Sequence, residues 1–118
     1  MTTELVEQRW NAYQKAFGPV EAGERESLLA GSVEEEVAFS NPDTQGKGLG
    51  DLTVHIEDFQ RQFPGAWFRG NKLIVHHGQL LAEWTMFNGD GTEFLTGNSY
   101  ARFGETGMLT ELAGFWKL

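Results

Sequence analysis

Residues 63–116, FPGAWFRGNKLIVHHGQLLAEWTMFNGDGTEFLTGNSYARFGETGMLTELAGFW, decide the fold. After a helix-ending Pro64-Gly65 come four strand-like runs: Trp67 to Arg69, Leu73 to His77, Leu80 to Phe87 and Thr92 to Phe103. A fifth run, Met108 to Leu118, closes the chain. Gly70-Asn71, Asn88-Gly89-Asp90-Gly91 and Gly104 to Gly107 supply turns, so the runs read as antiparallel hairpins. Alternation sorts their side chains by face. Leu80, Ala82, Trp84 and Met86 form a continuously apolar, inward set, joined by Gly97, Ser99 and Ala101 and by Leu112, Gly114 and Trp116. The opposite face carries Phe87, Tyr100 and Phe115 among polar residues, a mixture suited to pairing with a second copy of the chain.

The first half reads as helices. Val6, Trp10, Tyr13 and Phe17 fall on one face of a helix that Thr3 can cap and Gly18-Pro19 ends. A shorter helix spans Glu24 to Ala30, with Gly31 as a left-handed stop. Glu34-Glu35-Glu36 reads as a solvated turn before a strand, Val37 to Ser40, that leads into Asn41-Pro42. Asp43 to Gly50 reads as a loop. Asp51 then caps a third helix whose buried stripe is Leu52, Ile56, Phe59 and Phe63. Helices segregated to one side of a long sheet give an α+β layer structure, and the hollow between the layers is the place to look for function.

Bulk properties exclude several classes. At 118 residues the chain, 1–118, is expected to be one domain. With no cysteine it has neither disulfides nor thiolate chemistry. The formal net charge of −8, without a basic stripe, argues against nucleic acid. No run is long and apolar enough for a membrane span, and Met-Thr-Thr-Glu lacks the features of a secretory signal, so a cytoplasmic location is expected. No phosphate loop, dinucleotide fingerprint or Ser-His-Asp order occurs, and no histidine pair has metal-ligand spacing. The sequence therefore calls for no cofactor and no metal.

Taken in order, Trp10, Phe39-Ser40-Asn41-Pro42, Gly46 with Gly48, Phe63-Pro64-Gly65, His76-His77-Gly78, Trp84, Gly89-Asp90-Gly91, Gly97-Asn98-Ser99 and Gly114-Phe115-Trp116 resemble the nuclear transport factor 2-like superfamily, SnoaL-like branch. That branch includes polyketide cyclases and relatives of ketosteroid isomerase. The resemblance implies a cone: a curved antiparallel sheet wrapped by three helices around a ligand cavity, usually in a dimer. It also implies positions for an acid-base set. The isomerase base falls at Asn41, an amide that cannot take a proton at neutral pH. The oxyanion-binding acid falls at Ser99, and the helix tyrosine at Trp10, with Tyr13 one turn on. The Asp-Arg-Asp water site of limonene-type epoxide hydrolases is matched by Glu83-Trp84-Thr85, which lacks it.

The residues themselves leave alternatives open. Asn41 either orients a ligand or caps an Asx turn before Pro42; Asp43 is a displaced base or, more ordinarily, a turn residue. Ser99 either bonds a ligand carbonyl or a neighbouring strand. Only one of His76 and His77 can point inward. His55 lies off the buried stripe and reads as a surface residue, and Glu83 with Arg102 as an outward ion pair. Candidate catalytic groups are thus Tyr13, Asn41, Asp43, His76, His77 and Ser99. Candidate ligand contacts are Trp10, Tyr13, Phe39, Asn41, Phe59, Trp84, Met86, Ser99 and Trp116. The expected partners are a small apolar or polycyclic molecule and a second subunit. Three functions follow: a pocket protein, an isomerase, cyclase or hydrolase with a rearranged polar site, or a dimeric interaction module whose cone its own side chains fill.

Overall fold

In the computed structural model, which describes residues 3–117, three helices lie against one six-stranded sheet. The helices are α1 (Thr3–Ala16), α2 (Ala22–Ala30) and α3 (Leu49–Gln62). The strands are β1 (Val33–Asn41), β2 (Thr44–Lys47), β3 (Trp67–His76), β4 (Gln79–Phe87), β5 (Glu93–Phe103) and β6 (Leu109–Phe115), in the order β2-β1-β6-β5-β4-β3. Leu118, the end of the fifth run, and Met1-Thr2 lie outside the described residues.

The α+β class, the three helices and the curved sheet are as expected, but the sheet is mixed and not closed. β1 runs parallel to β6, with Phe39 opposite Leu112, because the chain crosses the helical layer between them. All other pairings are antiparallel.

Several boundaries differ from the sequence reading, each for a local reason. Glu34-Glu35-Glu36 belongs to β1 and not to a turn, its exposed side chains leaving Val33 and Val37 buried. Residues 44–47 form β2, a hairpin partner of β1, where a glycine-rich loop was expected. Gly48 is the N-cap of α3, and Asp51 lies one turn in, accepting the Lys47 N–H at 3.2 Å. Gly31 keeps φ −89°, so α2 does not stop in the left-handed region.

Gly70-Asn71 is no turn either. β3 runs through it, and the register shift between Gly70 and Lys72 marks a bulge. The tight turn falls at His77-Gly78, both at positive φ, as a two-residue hairpin of the primed type requires.

The core lies between the sheet's inner face and the helices. Val6, Leu29, Leu52, Ile56, Leu80 and Leu109 are all but inaccessible there. Arg25 is also buried: it donates to the Ala16, Gly18 and Val20 carbonyls and so fixes the C-terminal end of α1. On the outer face Phe87 is covered after all, stacked by Trp67 at 4.4 Å with Arg69 over its ring. Phe115, Leu81 and Ile74 remain open to solvent. Glu83 and Arg102 form no ion pair with each other; Glu83 lies opposite Asn98 of β5 and Arg102 opposite Gln79 of β4, and Arg102 donates to the Tyr100 hydroxyl.

Candidate functional site

The hollow between helices and sheet is a cavity of about 800 Å³, partly open to solvent. Every layer contributes to its wall. Helical spacing turns Trp10 and Tyr13 of α1 towards it, and Leu52, His55 and Phe59 of α3, with Phe17 just after the end of α1. Strand alternation adds Phe39 from β1, Phe68 from β3, Trp84 and Met86 from β4 and Ser99 from β5, with Trp116 just after β6.

The rings touch in sequence around the cavity. Trp10 meets Tyr13 (5.1 Å between centroids), Tyr13 meets Phe17 (5.3 Å), and Phe17 meets Phe59 (5.8 Å). Phe59 meets Phe68 (5.5 Å), Phe68 meets Trp84 (5.1 Å), and Trp84 meets Trp116 (5.9 Å). Most of these contacts are tilted or edge-on, the arrangements that aromatic quadrupoles favour.

Two strand glycines make room for the rings. A Cβ on Gly97 would lie 2.5 Å from the Trp84 ring, and one on Gly46 would lie 2.6 Å from the Phe39 ring. Each ring lies flat across the neighbouring strand because nothing projects from that strand.

The polar groups are few and constrained. Asn41 closes the Asx turn that was one of its two expected readings. Its Oδ1 accepts the backbone N–H groups of Asp43 (2.9 Å) and Thr44 (3.1 Å), which closes an Asx turn. Two donors converging on one atom identify that atom as the oxygen. The amide nitrogen must then face His55 Nε2, 3.0 Å away. An amide nitrogen only donates, so Nε2 accepts and the ring proton resides on Nδ1.

His55 is half-buried and stacks on Phe39 at 5.7 Å. Burial lowers its pKa, opposed by the charges of Asp43 and Asp58, so it is neutral at pH 7. Ser99 Oγ accepts the Trp84 indole N–H at 2.9 Å, which leaves its own proton to give. The Tyr13 hydroxyl has no hydrogen-bond partner among the described residues, and burial pushes its pKa well up, which keeps it a neutral donor. The Trp10 N–H is committed to Gln14 at 3.1 Å, so Trp10 serves as wall and not as donor.

Of the candidate residues, His76 and His77 are left out. They face each other at the exposed β3–β4 turn, far along the strand from the cavity. Asp43 lines the mouth from its turn. The residue that sequence reasoning misplaced is His55. The signal was present: it lies three residues after Leu52 and four before Phe59, both on the inner face of α3.

No protein-family profile and no curated protein matches the chain. Solved structures do. An Agrobacterium tumefaciens protein provisionally named an isomerase of the SnoaL-like family superposes with a TM-score of 0.88 at 20% identity, over 98% of this chain and 100% of that one. This chain has a SnoaL-like, nuclear transport factor 2-like fold. A Jannaschia protein provisionally named a SnoaL-like polyketide cyclase shares the SnoaL-like fold at a TM-score of 0.78 and 10% identity, over 96% and 85% of the two chains. A de novo designed protein with a curved β-sheet shares it at 0.76 and 12%, over 99% and 88%. The same SnoaL-like frame thus occurs in a designed chain, so the chemistry has to be argued from the side chains inside it.

Proposed function

We propose that the cavity binds a small ring-bearing apolar molecule, held flat among Phe59, Phe68, Trp84 and Trp116 and oriented by Ser99, Tyr13 and His55. The observation that carries this reading is an aromatic cavity of about 800 Å³, within the 300–1,000 Å³ range typical of small-molecule sites, with a few convergent donors. Its size weighs against a cone filled by its own side chains.

The test is titration with 2-naphthylmethanol, a neutral flat probe, read by quenching of tryptophan fluorescence and by a rise in Tm. Saturable binding that Ser99→Phe abolishes while the far-UV spectrum is retained supports the reading. Absence of binding, or equal binding to the occluded variant, removes it.

A second reading is favoured by one specific observation, the neutral His55 held by Asn41 at the position the isomerase resemblance gives to the base. In this reading the site runs proton-transfer chemistry of the isomerase or cyclase kind. His55 Nδ1–H, Ser99 and Tyr13 donate to a developing oxyanion, and Asp43 is the nearest carboxylate to carry a proton. Deuterium uptake at the α-carbon of 2-tetralone in D2O, accelerated by wild type and lost in Asp43→Asn, would favour it over simple binding.

The proposal extends to a homodimer. Ile74, Leu81, Tyr100 and Ala113 lie in one cross-strand row of the outer face, with Phe115 beside them, and a second copy would cover this surface.

A further inference from the structure

The cavity's charge is one-sided. Among the described residues its lining holds three carboxylates, Asp43, Asp51 and Asp58, and no lysine or arginine. Two of the three are engaged: Asp51 by the Lys47 N–H and Asp58 by Arg61. The Asp43 carboxylate has neither an ion pair nor a hydrogen bond among the described residues, yet it sits at the mouth beside Asn41 and acts on His55 through its charge. Beneath the mouth, His55 is neutral and the aromatic wall supplies no positive charge to meet an anion.

Resting on the reading of the cavity as a ligand site, we infer that it selects a ring-bearing ammonium compound over neutral and anionic molecules of the same shape. The ring system fills the aromatic floor, and the ammonium group remains at the mouth within reach of Asp43. A carboxylate in the same place would meet like charge and no compensating cation. A bare metal ion does not fit the same features, since no three His, Asp or Glu side chains among the described residues are grouped to hold one. The apolar floor would also be unused.

Three probes that share one ring system separate the contributions: 2-naphthylmethylammonium, 2-naphthylmethanol and 2-naphthoate. Each is titrated by calorimetry at pH 7.5 in low and in moderate salt. The ammonium probe is expected to bind about two- to fivefold more tightly than the alcohol, the effect of one solvent-exposed ion pair. The carboxylate is expected to be the weakest of the three. The ammonium advantage shrinks with added salt, and Asp43→Asn narrows it.

Equal binding of ammonium and alcohol, or a carboxylate that binds best, overturns the charge inference and leaves the cavity reading in place. If none of the three binds, the cavity reading itself falls and the charge inference falls with it.

Discussion

Gly97→Ala probes the cavity floor with a single methyl group. The added Cβ would lie 2.5 and 2.6 Å from two atoms of the Trp84 ring and 3.0 Å from the Phe115 carbonyl oxygen. Neither neighbour is the free end of a flexible chain. Trp84 is 6% exposed and wedged between Phe68 and Trp116. The indole must therefore tilt, which costs about 1–3 kcal/mol as overpacking. A tilt also stretches the 2.9 Å bond from its N–H to Ser99, worth about 1 kcal/mol. For a domain of 118 residues the unfolding entropy near Tm is about 0.25 kcal/mol per degree, so a loss of about 2 kcal/mol lowers Tm by about 8 °C. Differential scanning calorimetry reads this shift, and near-UV circular dichroism reads the moved indole. Gly23→Ala is the control, because its Cβ would meet nothing within 4 Å in helix α2. A Gly97→Ala protein with Tm within about 2 °C of wild type and an unchanged near-UV spectrum would refute the packing argument, and with it the account of how the floor is held flat.

Four further outcomes are expected. His55 has a folded pKa below its unfolded value of 6.5, so the unfolded chain takes up the proton first. Its contribution is whole above pH 6.5 and is lost as pH falls towards the folded pKa; in urea unfolding at pH 7.5 and 5.5, His55→Gln should lose less stability on acidification than wild type. Asn41→Asp keeps the Asx-turn acceptor but sets a carboxylate against Nε2, so an NMR titration should find the His55 pKa higher than in wild type; a lower value would contradict the contact between the two side chains. Arg25→Lys cannot reach the three carbonyls that Arg25 serves, and it should cost about 2 kcal/mol in chemical denaturation, loosening the helix that carries Trp10 and Tyr13. Phe115→Lys, on the exposed outer face, should shift the proposed dimer to monomer in sedimentation without lowering Tm by more than about 2 °C at protein concentrations where wild type is also monomeric, and a wild type that sediments as a monomer at every concentration would refute the dimer.

The pattern of the strands was legible because their inner faces are continuously apolar: the Leu80-to-Met86 set lies inside as alternation requires. What the sequence hid was context. A glutamate run reads as a turn when only its polarity is weighed, yet in β1 it occupies exposed strand positions while Val33 and Val37 hold the core. The parallel pairing of β1 with β6 depends on elements far apart in the chain, which no local pattern encodes. At the site, the apolar wall was readable from spacing: Trp10, Phe39, Phe59, Trp84, Met86 and Trp116 all line the cavity. The polar chemistry was less so. The role of His55 depends on a bond to a residue fourteen positions away, and the charge balance at the mouth on three aspartates drawn from two segments.

β6 has a consequence for how the molecule comes together. The β1–β2 hairpin joins the other strands through β6 alone. The amide and imidazole that face each other belong to the early segments, whereas the tryptophan-lined floor is built from late ones. Within the sheet the two halves meet only where this single strand zips both of them, a long-range closure expected among the slowest steps of folding. A mutation that weakens the β1–β6 seam would then leave both halves locally ordered yet strip the protein of its cavity before it strips it of its shape.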